Sequence, residues 1–166
     1  MSKDKRRSVD QVVAPEFVAG LESIPIDELR VRRKLCNEVD TELSYYRRLL
    51  HGRMDLLAFE RRRRAGEEER TLLEALPDIL AGSERGVEPM GRSVPVELPD
   101  LPARGQRTVD KVLADDFLAR LADTNDEELE EMQVLLTELE SKVSRQRRSA
   151  YEACDRIHNE LTRRYR

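Results

Sequence analysis

A chain of 166 residues has room for one domain or two very small ones. Charged residues make up 39% of it and aromatic residues 4%, with no Trp, which excludes a thick globular core and favours long helices sharing a narrow apolar seam. The 30 basic and 34 acidic residues leave a formal net charge of −4, which argues against nonspecific nucleic-acid binding, although the clusters Arg61–Arg64 and Arg163–Arg166 keep that alternative open.

In chain order, the basic N-terminus is followed by no apolar run, and no stretch reaches membrane-spanning length. A cytoplasmic protein with no signal peptide and no membrane association is expected. A short helix is predicted around Val9–Leu21. The turn Ser23-Ile24-Pro25 follows, with Pro25 suited to a helix start. A long helix then runs to about Arg64, with no Pro and one Gly, Gly52. Residues 66–81 pass from Glu67-Glu68-Glu69 to Leu72, Leu73, Leu76, Ile79 and Leu80, a short helix interrupted near Pro77. Residues 82–107, with Pro89, Pro95, Pro99 and Pro102 among Gly82, Gly86, Gly91 and Gly105, read as an irregular linker. A second short helix is predicted around Val109–Leu121. Thr124 and Glu127 then have capping-box spacing ahead of a second long helix free of Pro and Gly.

The chain repeats itself at an offset of 100 residues. Val9-Asp10-Gln11-Val12-Val13-Ala14 returns as Val109-Asp110-Lys111-Val112-Leu113-Ala114, and residues 8–64 set against 108–164 give 18 identities in 57 positions without a gap. This register points to a tandem duplication. The expected organisation is repeat 1 over 1–64, a short helix and linker over 65–107, and repeat 2 over 108–166. The expected class is all-α: a long antiparallel helical coiled coil built from the two repeats, with short additional helices.

Each long helix carries two faces. Leu35, Val39, Leu43, Tyr46, Leu50, Met54 and Leu57 recur at threes and fours, an apolar packing seam repeated as Leu135, Leu139, Val143, Gln146, Ala150, Cys154 and Ile157. Asp40, Ser44, Arg47, His51 and Asp55 form a second row within about 80° of arc, roughly 22 Å long and about 110° from the seam. Glu140, Ser144, Arg147, Tyr151 and Asp155 repeat it. An Arg fork suits guanine O6 and N7 or a phosphate, and a carboxylate suits the N1–H and N2–H₂ edge of guanine. Ser can donate to a phosphate oxygen, and His or Tyr can stack on a base. A charged row is also how a solvated helix face looks, so a non-catalytic coiled-coil scaffold stays open beside the binding reading.

Cys36 and Cys154 lack metal-site spacing and read as free thiols, and His51 and His158 are too few and scattered for a zinc or catalytic site. No nucleophile–base pair or phosphate loop is visible, so no enzyme is expected.

The row Asp40-x3-Ser44-x2-Arg47-x3-His51-x3-Asp55 resembles the signature of the RsiG family of actinobacterial anti-sigma factors, Glu-x3-Ser-x2-Arg-x3-Gln-x3-Asp. The row Glu140-x3-Ser144-x2-Arg147-x3-Tyr151-x3-Asp155 is similar to it as well. Asp40 departs from the signature Glu, and His51 and Tyr151 from the Gln. The resemblance implies that cyclic di-GMP, as a dimer, binds these ten residues on an antiparallel coiled coil. It also implies that the loaded protein sequesters a flagellar-class (WhiG-like) sigma factor and represses transcription, without direct DNA binding. The nucleotide would then act as a signalling ligand, not a catalytic cofactor.

Overall fold

A computed structural model of the chain describes residues 3–83 and 117–165. They are all-α, with no strand among them. Helix α1 spans Lys3–Val13, and Pro15 ends the run by opening a 3₁₀ turn over Pro15–Val18, followed by a second over Leu21–Ser23. The predicted first short helix is thus three pieces. Helix α2 spans Ile26–Arg64, α3 Leu72–Ser83, α4 Phe117–Asp123 and α5 Asp126–Arg164. The expected linker of 82–107 loses Gly82 and Ser83 to α3, and residues 84–116, with the rest of that linker and the start of the second short helix, lie outside the described residues.

The two long helices are 39 residues each and have the same electrostatic layout. Asp27 and Glu28, or Asp126, Glu127 and Glu128, occupy the first turn, and Arg residues the last, so side-chain charge opposes the helix dipole at both ends. The capping box of α5 lies one residue beyond the Thr124–Glu127 spacing. Asn125 Oδ1 accepts from the Glu128 N–H at 2.9 Å, and Glu128 Oε2 accepts from the Asn125 N–H at 3.3 Å, whereas the Thr124 hydroxyl bonds the Arg120 carbonyl. Helix α2 ends in a Schellman turn, in which Glu67 N–H reaches the Arg62 carbonyl and Gly66 N–H the Arg63 carbonyl. Gly66 sits there at φ 77°, a conformation that penalises any side chain. Helix α3 continues through Pro77 instead of breaking at it. The carbonyl that Pro77 cannot serve is that of Leu73, a residue 81% exposed, so water can take the missing bond.

The chain divides into two units, each drawing on both long helices: Met1–Tyr46 with Lys142–Arg166, and Arg47 onward with residues up to Ser141. In the first, the buried apolar residues are Val9, Val12, Phe17, Val18 and Leu21, with Leu29, Cys36, Val39, Leu43 and Tyr46 of α2 and Val143, Ala150, Ala153, Ile157 and Leu161 of α5. Contacts there pair Arg30 with Tyr165 and Ser44 with Arg147, so the two segments run antiparallel. In the second, the core holds Leu50, Leu56, Leu57 and Phe59 with Phe117, Leu121, Leu129, Leu136 and Leu139. Arg64 meets Asp126 and Arg47 meets Glu140, again antiparallel.

The buried seam corrects the expected one by a residue in places. Cys36 and Leu136 are fully buried, while Leu35 and Leu135 are half-buried. The reason is the heptad: counting back from Leu43 and Val39, the alternation of four and three lands on position 36, not 35. Met54, Gln146 and Cys154 are likewise half-buried, and Ala153 takes the place expected of Cys154.

Gly52 lies inside α2, and a Cβ built there would meet nothing within 4 Å. Gly52→Ala should therefore stabilise the protein by about 0.5–1 kcal/mol, read as a higher midpoint in urea unfolding.

Candidate functional site

The ten row residues fall into two groups, one in each unit. The first unit holds Asp40 and Ser44 from α2 with Ser144, Arg147, Tyr151 and Asp155 from α5. The second holds Arg47, His51 and Asp55 from α2 with Glu140 from α5. On the heptad the rows occupy positions that flank the seam, so their stems are shielded by packing while their polar tips reach water.

In the first group Arg147 is the hub. Its Nε donates to Ser44 Oγ at 2.9 Å and stands 3.5 Å from Asp40 Oδ1. That Asp40 oxygen is shielded from solvent and receives no hydrogen bond from the described residues. In the second group Glu140 is the hub. Its Oε1 accepts from Arg47 Nε at 3.3 Å and lies 3.1 Å from His51 Nε2. In each group the carboxylate of one helix faces the guanidinium of the other, Glu140 with Arg47 and Asp40 with Arg147. Tyr151 is 63% exposed, and Asp55 and Asp155 are exposed at the far end of each row. Asp155 accepts from the Asn159 amide at 3.2 Å.

A second kind of Arg–carboxylate contact shows what a structural pair looks like in this protein. Glu60 has a side chain only 3% exposed and is gripped by Arg63 and Arg64 at 2.8 Å. Glu160 repeats the arrangement with Arg163 and Arg164 at 2.7 Å. Arg64 also reaches Asp126 and the Leu121 carbonyl, and Arg164 the carbonyls of Leu21, Glu22 and Ile24. These arginines pin the preceding short helical segments to the ends of the long helices. Sequence reasoning missed this role and left the arginines as a possible nucleic-acid patch. The signal was available, because Glu60, Arg63 and Arg64 all recur at the 100-residue offset.

The clamps also set an acid limit. Arg163 first, then Arg164, keep the Glu160 carboxyl down at about 2, well below the usual carboxylate range. Arg63, then Arg64, lower Glu60 in the same direction. An unfolded Glu titrates near 4.3, so the contribution is complete above about that pH and is lost as pH falls toward 2. The thermal midpoint should therefore drop between about pH 4.5 and 2. Glu160→Gln should lower the midpoint at neutral pH and flatten that drop, as read by circular dichroism melts.

Against the clamps, the row pairs are long, at 3.3–3.5 Å, and 20–42% exposed. Pairs of that kind contribute about 0–1 kcal/mol. A ligand offering charge-assisted hydrogen bonds, at about 1.5–3 kcal/mol each, can replace them with net gain. The first cluster offers the groups a guanine nucleotide would need: a shielded carboxylate oxygen on Asp40, ion-paired at 3.5 Å with Arg147, and a guanidinium of the kind that suits a phosphate or the guanine O6 and N7 edge.

No curated protein matches the chain. The model of the RsiG-like family matches residues 15–80, a segment that contains the first row whole and leaves out the second. That match suggests a regulatory role of the anti-sigma type. Over residues 15–80, with α2 and its row of Asp40, Ser44, Arg47, His51 and Asp55, the chain resembles the RsiG-like family.

Proposed function

We propose that this protein is an anti-sigma factor that takes up cyclic di-GMP at the two row clusters and, so loaded, holds a flagellar-class (WhiG-like) sigma factor away from RNA polymerase. The observation that carries the reading is the contrast between two kinds of Arg–carboxylate contact. The clamps are short and hold carboxylates only 3% and 11% exposed, while Arg47–Glu140 and Arg147–Asp40 are longer, with carboxylates 20% and 34% exposed, at positions that recur at the 100-residue offset. A pair built for stability resembles the first kind, and a pair kept ready for exchange with a ligand resembles the second.

Asp40 and Glu140 accept from guanine N–H groups in this proposal, and Arg47 and Arg147 hold phosphate or the guanine O6 and N7 edge. Ser44 and Ser144 donate to phosphate, His51 and Tyr151 stack on or bond a base, and Asp55 and Asp155 close the far end of each row. The residues themselves carry out no covalent chemistry; the nucleotide acts through linkage, stabilising whichever state binds it better. The antiparallel segments with heptad-spaced burial in each unit support coiled-coil pairing of α2 with α5. The recurrence of clamps and rows at an offset of 100 supports a tandem duplication with copies over 1–64 and 108–166.

Co-purification of a tagged WhiG-like sigma factor with this protein, with and without cyclic di-GMP, tests the regulatory half of the proposal. The expected result is a complex retained only with the nucleotide. Equal absence of a complex under both conditions favours a scaffold with solvated rows.

A further inference from the structure

In the first unit, α2 meets the N-terminal helical pieces along an open groove of about 400 Å³. Glu28, Val31, Arg32 and Leu35 form its α2 wall, at the i, i+3, i+4, i+7 spacing of one helix face. Glu16 and Phe17 of the first 3₁₀ turn stand on the other side. Among the described residues, Val31 is the one large apolar side chain of α2 that is exposed, at 68%, and Leu35 beside it is half-buried. Val31 belongs neither to the packing seam nor to the polar row.

Arg32 braces the groove. Its Nη1 donates to the Phe17 carbonyl at 2.6 Å and its Nη2 to Glu28 Oε1 at 3.0 Å. Its guanidinium also lies 5.4 Å from the centre of the Phe17 ring. These contacts tie the 3₁₀ turn to α2 and balance the Glu28 charge within the wall. The exposed Glu16 carboxylate stands at the rim, so the groove is apolar with an acidic edge.

We propose that this groove is the docking site for an amphipathic helix of the sigma factor. Apolar side chains three or four residues apart on that helix seat against Val31 and Leu35, and a Lys or Arg beside them meets Glu16. An open groove between helical walls takes side chains from one face of a helix, and the acidic edge selects a basic flank. The sigma factor as partner rests on the function proposed above.

The repeat sharpens the assignment. At the 100-residue offset Phe17, Glu28 and Leu35 return as Phe117, Glu128 and Leu135, whereas Val31 and Arg32 return as Glu131 and Met132. The second repeat therefore has a charge where the apolar anchor would stand, and no Arg where the brace would stand. One such groove, and one docked helix, is expected per chain.

Two measurements on the full-length protein with a WhiG-like sigma factor and cyclic di-GMP test the proposal. Val31→Glu, which copies Glu131 of the second repeat, should weaken sigma binding roughly 10-fold or more. Val134→Glu, at an apolar residue of the second unit that is 54% exposed, should change it by less than about twofold. Both side chains are exposed, so both melts should match the wild type. A benzoylphenylalanine placed at position 31 should crosslink on irradiation to a sigma segment with apolar residues three or four apart and a flanking Lys or Arg. That crosslink decides the matter if Val31→Glu lowers the melt. Wild-type affinity in Val31→Glu, or a crosslink to another molecule of this chain, overturns the groove assignment and leaves the anti-sigma reading intact. Wild-type protein that binds no sigma factor overturns both.

Discussion

Under the proposed function, replacing Arg147 by Ala should lower the affinity for cyclic di-GMP by roughly 10- to 150-fold, and Arg47→Ala should do the same, while helix content by circular dichroism stays unchanged. The magnitude is that of one charge-assisted contact, about 1.5–3 kcal/mol. Stability survives because the pairs being removed are part-exposed and contribute about 1 kcal/mol or less. Arg164→Ala provides the opposite control. It strips donors from the Leu21, Glu22 and Ile24 carbonyls and from Glu160, so the melt should fall while the row residues stay in place. Isothermal calorimetry of all three variants separates the roles. Wild-type affinity in both Arg147→Ala and Arg47→Ala would remove the rows from the binding site.

The largest expected stability effect is at Leu136. Leu136→Ala should cost about 2–5 kcal/mol, because the side chain is fully buried and the cavity can collapse only in part. For a chain of this length that is a fall in the thermal midpoint of roughly 5–15 °C. The neighbouring Leu135→Ala removes the same atoms from a half-buried position and should cost only roughly 1 kcal/mol. Equal losses in urea titrations of the two variants would mean that the seam runs through Leu135 after all.

That pair of leucines shows where the sequence was ambiguous. Two adjacent apolar residues both satisfy a loose pattern of threes and fours, and only packing against a second helix selects one. In α2 the ambiguity was sharper, because the buried residue is Cys36 and the half-buried one is the more apolar Leu35. The capping box slipped by one residue for a similar reason: Thr124 and Asn125 both have the side chain for a cap, each with a Glu three residues on. The long helices themselves were readable end to end, since 39 residues with apolar spacing and no Pro leave few alternatives.

The candidate site was readable as two rows but not as two clusters. Helical periodicity puts Asp40, Ser44, Arg47, His51 and Asp55 on one face whatever α2 packs against. Which of them meets Arg147 or Glu140 depends on the register between α2 and α5, and a single sequence carries little information about that. The grouping of Arg47 and His51 on Glu140, and of Ser44 with Asp40 on Arg147, is therefore a finding of the structure alone. It also gives the His51 departure from the family signature a definite place, at 3.1 Å from the Glu140 carboxylate.

Calorimetric titration of the full-length protein with cyclic di-GMP, with and without a WhiG-like sigma factor and with GMP as the control ligand, tests the central claim most directly. Saturable heat with cyclic di-GMP, absent with GMP and lost in Arg147→Ala, is the predicted result. No heat with cyclic di-GMP under either condition would contradict the account and leave the rows as solvated faces of a helical scaffold.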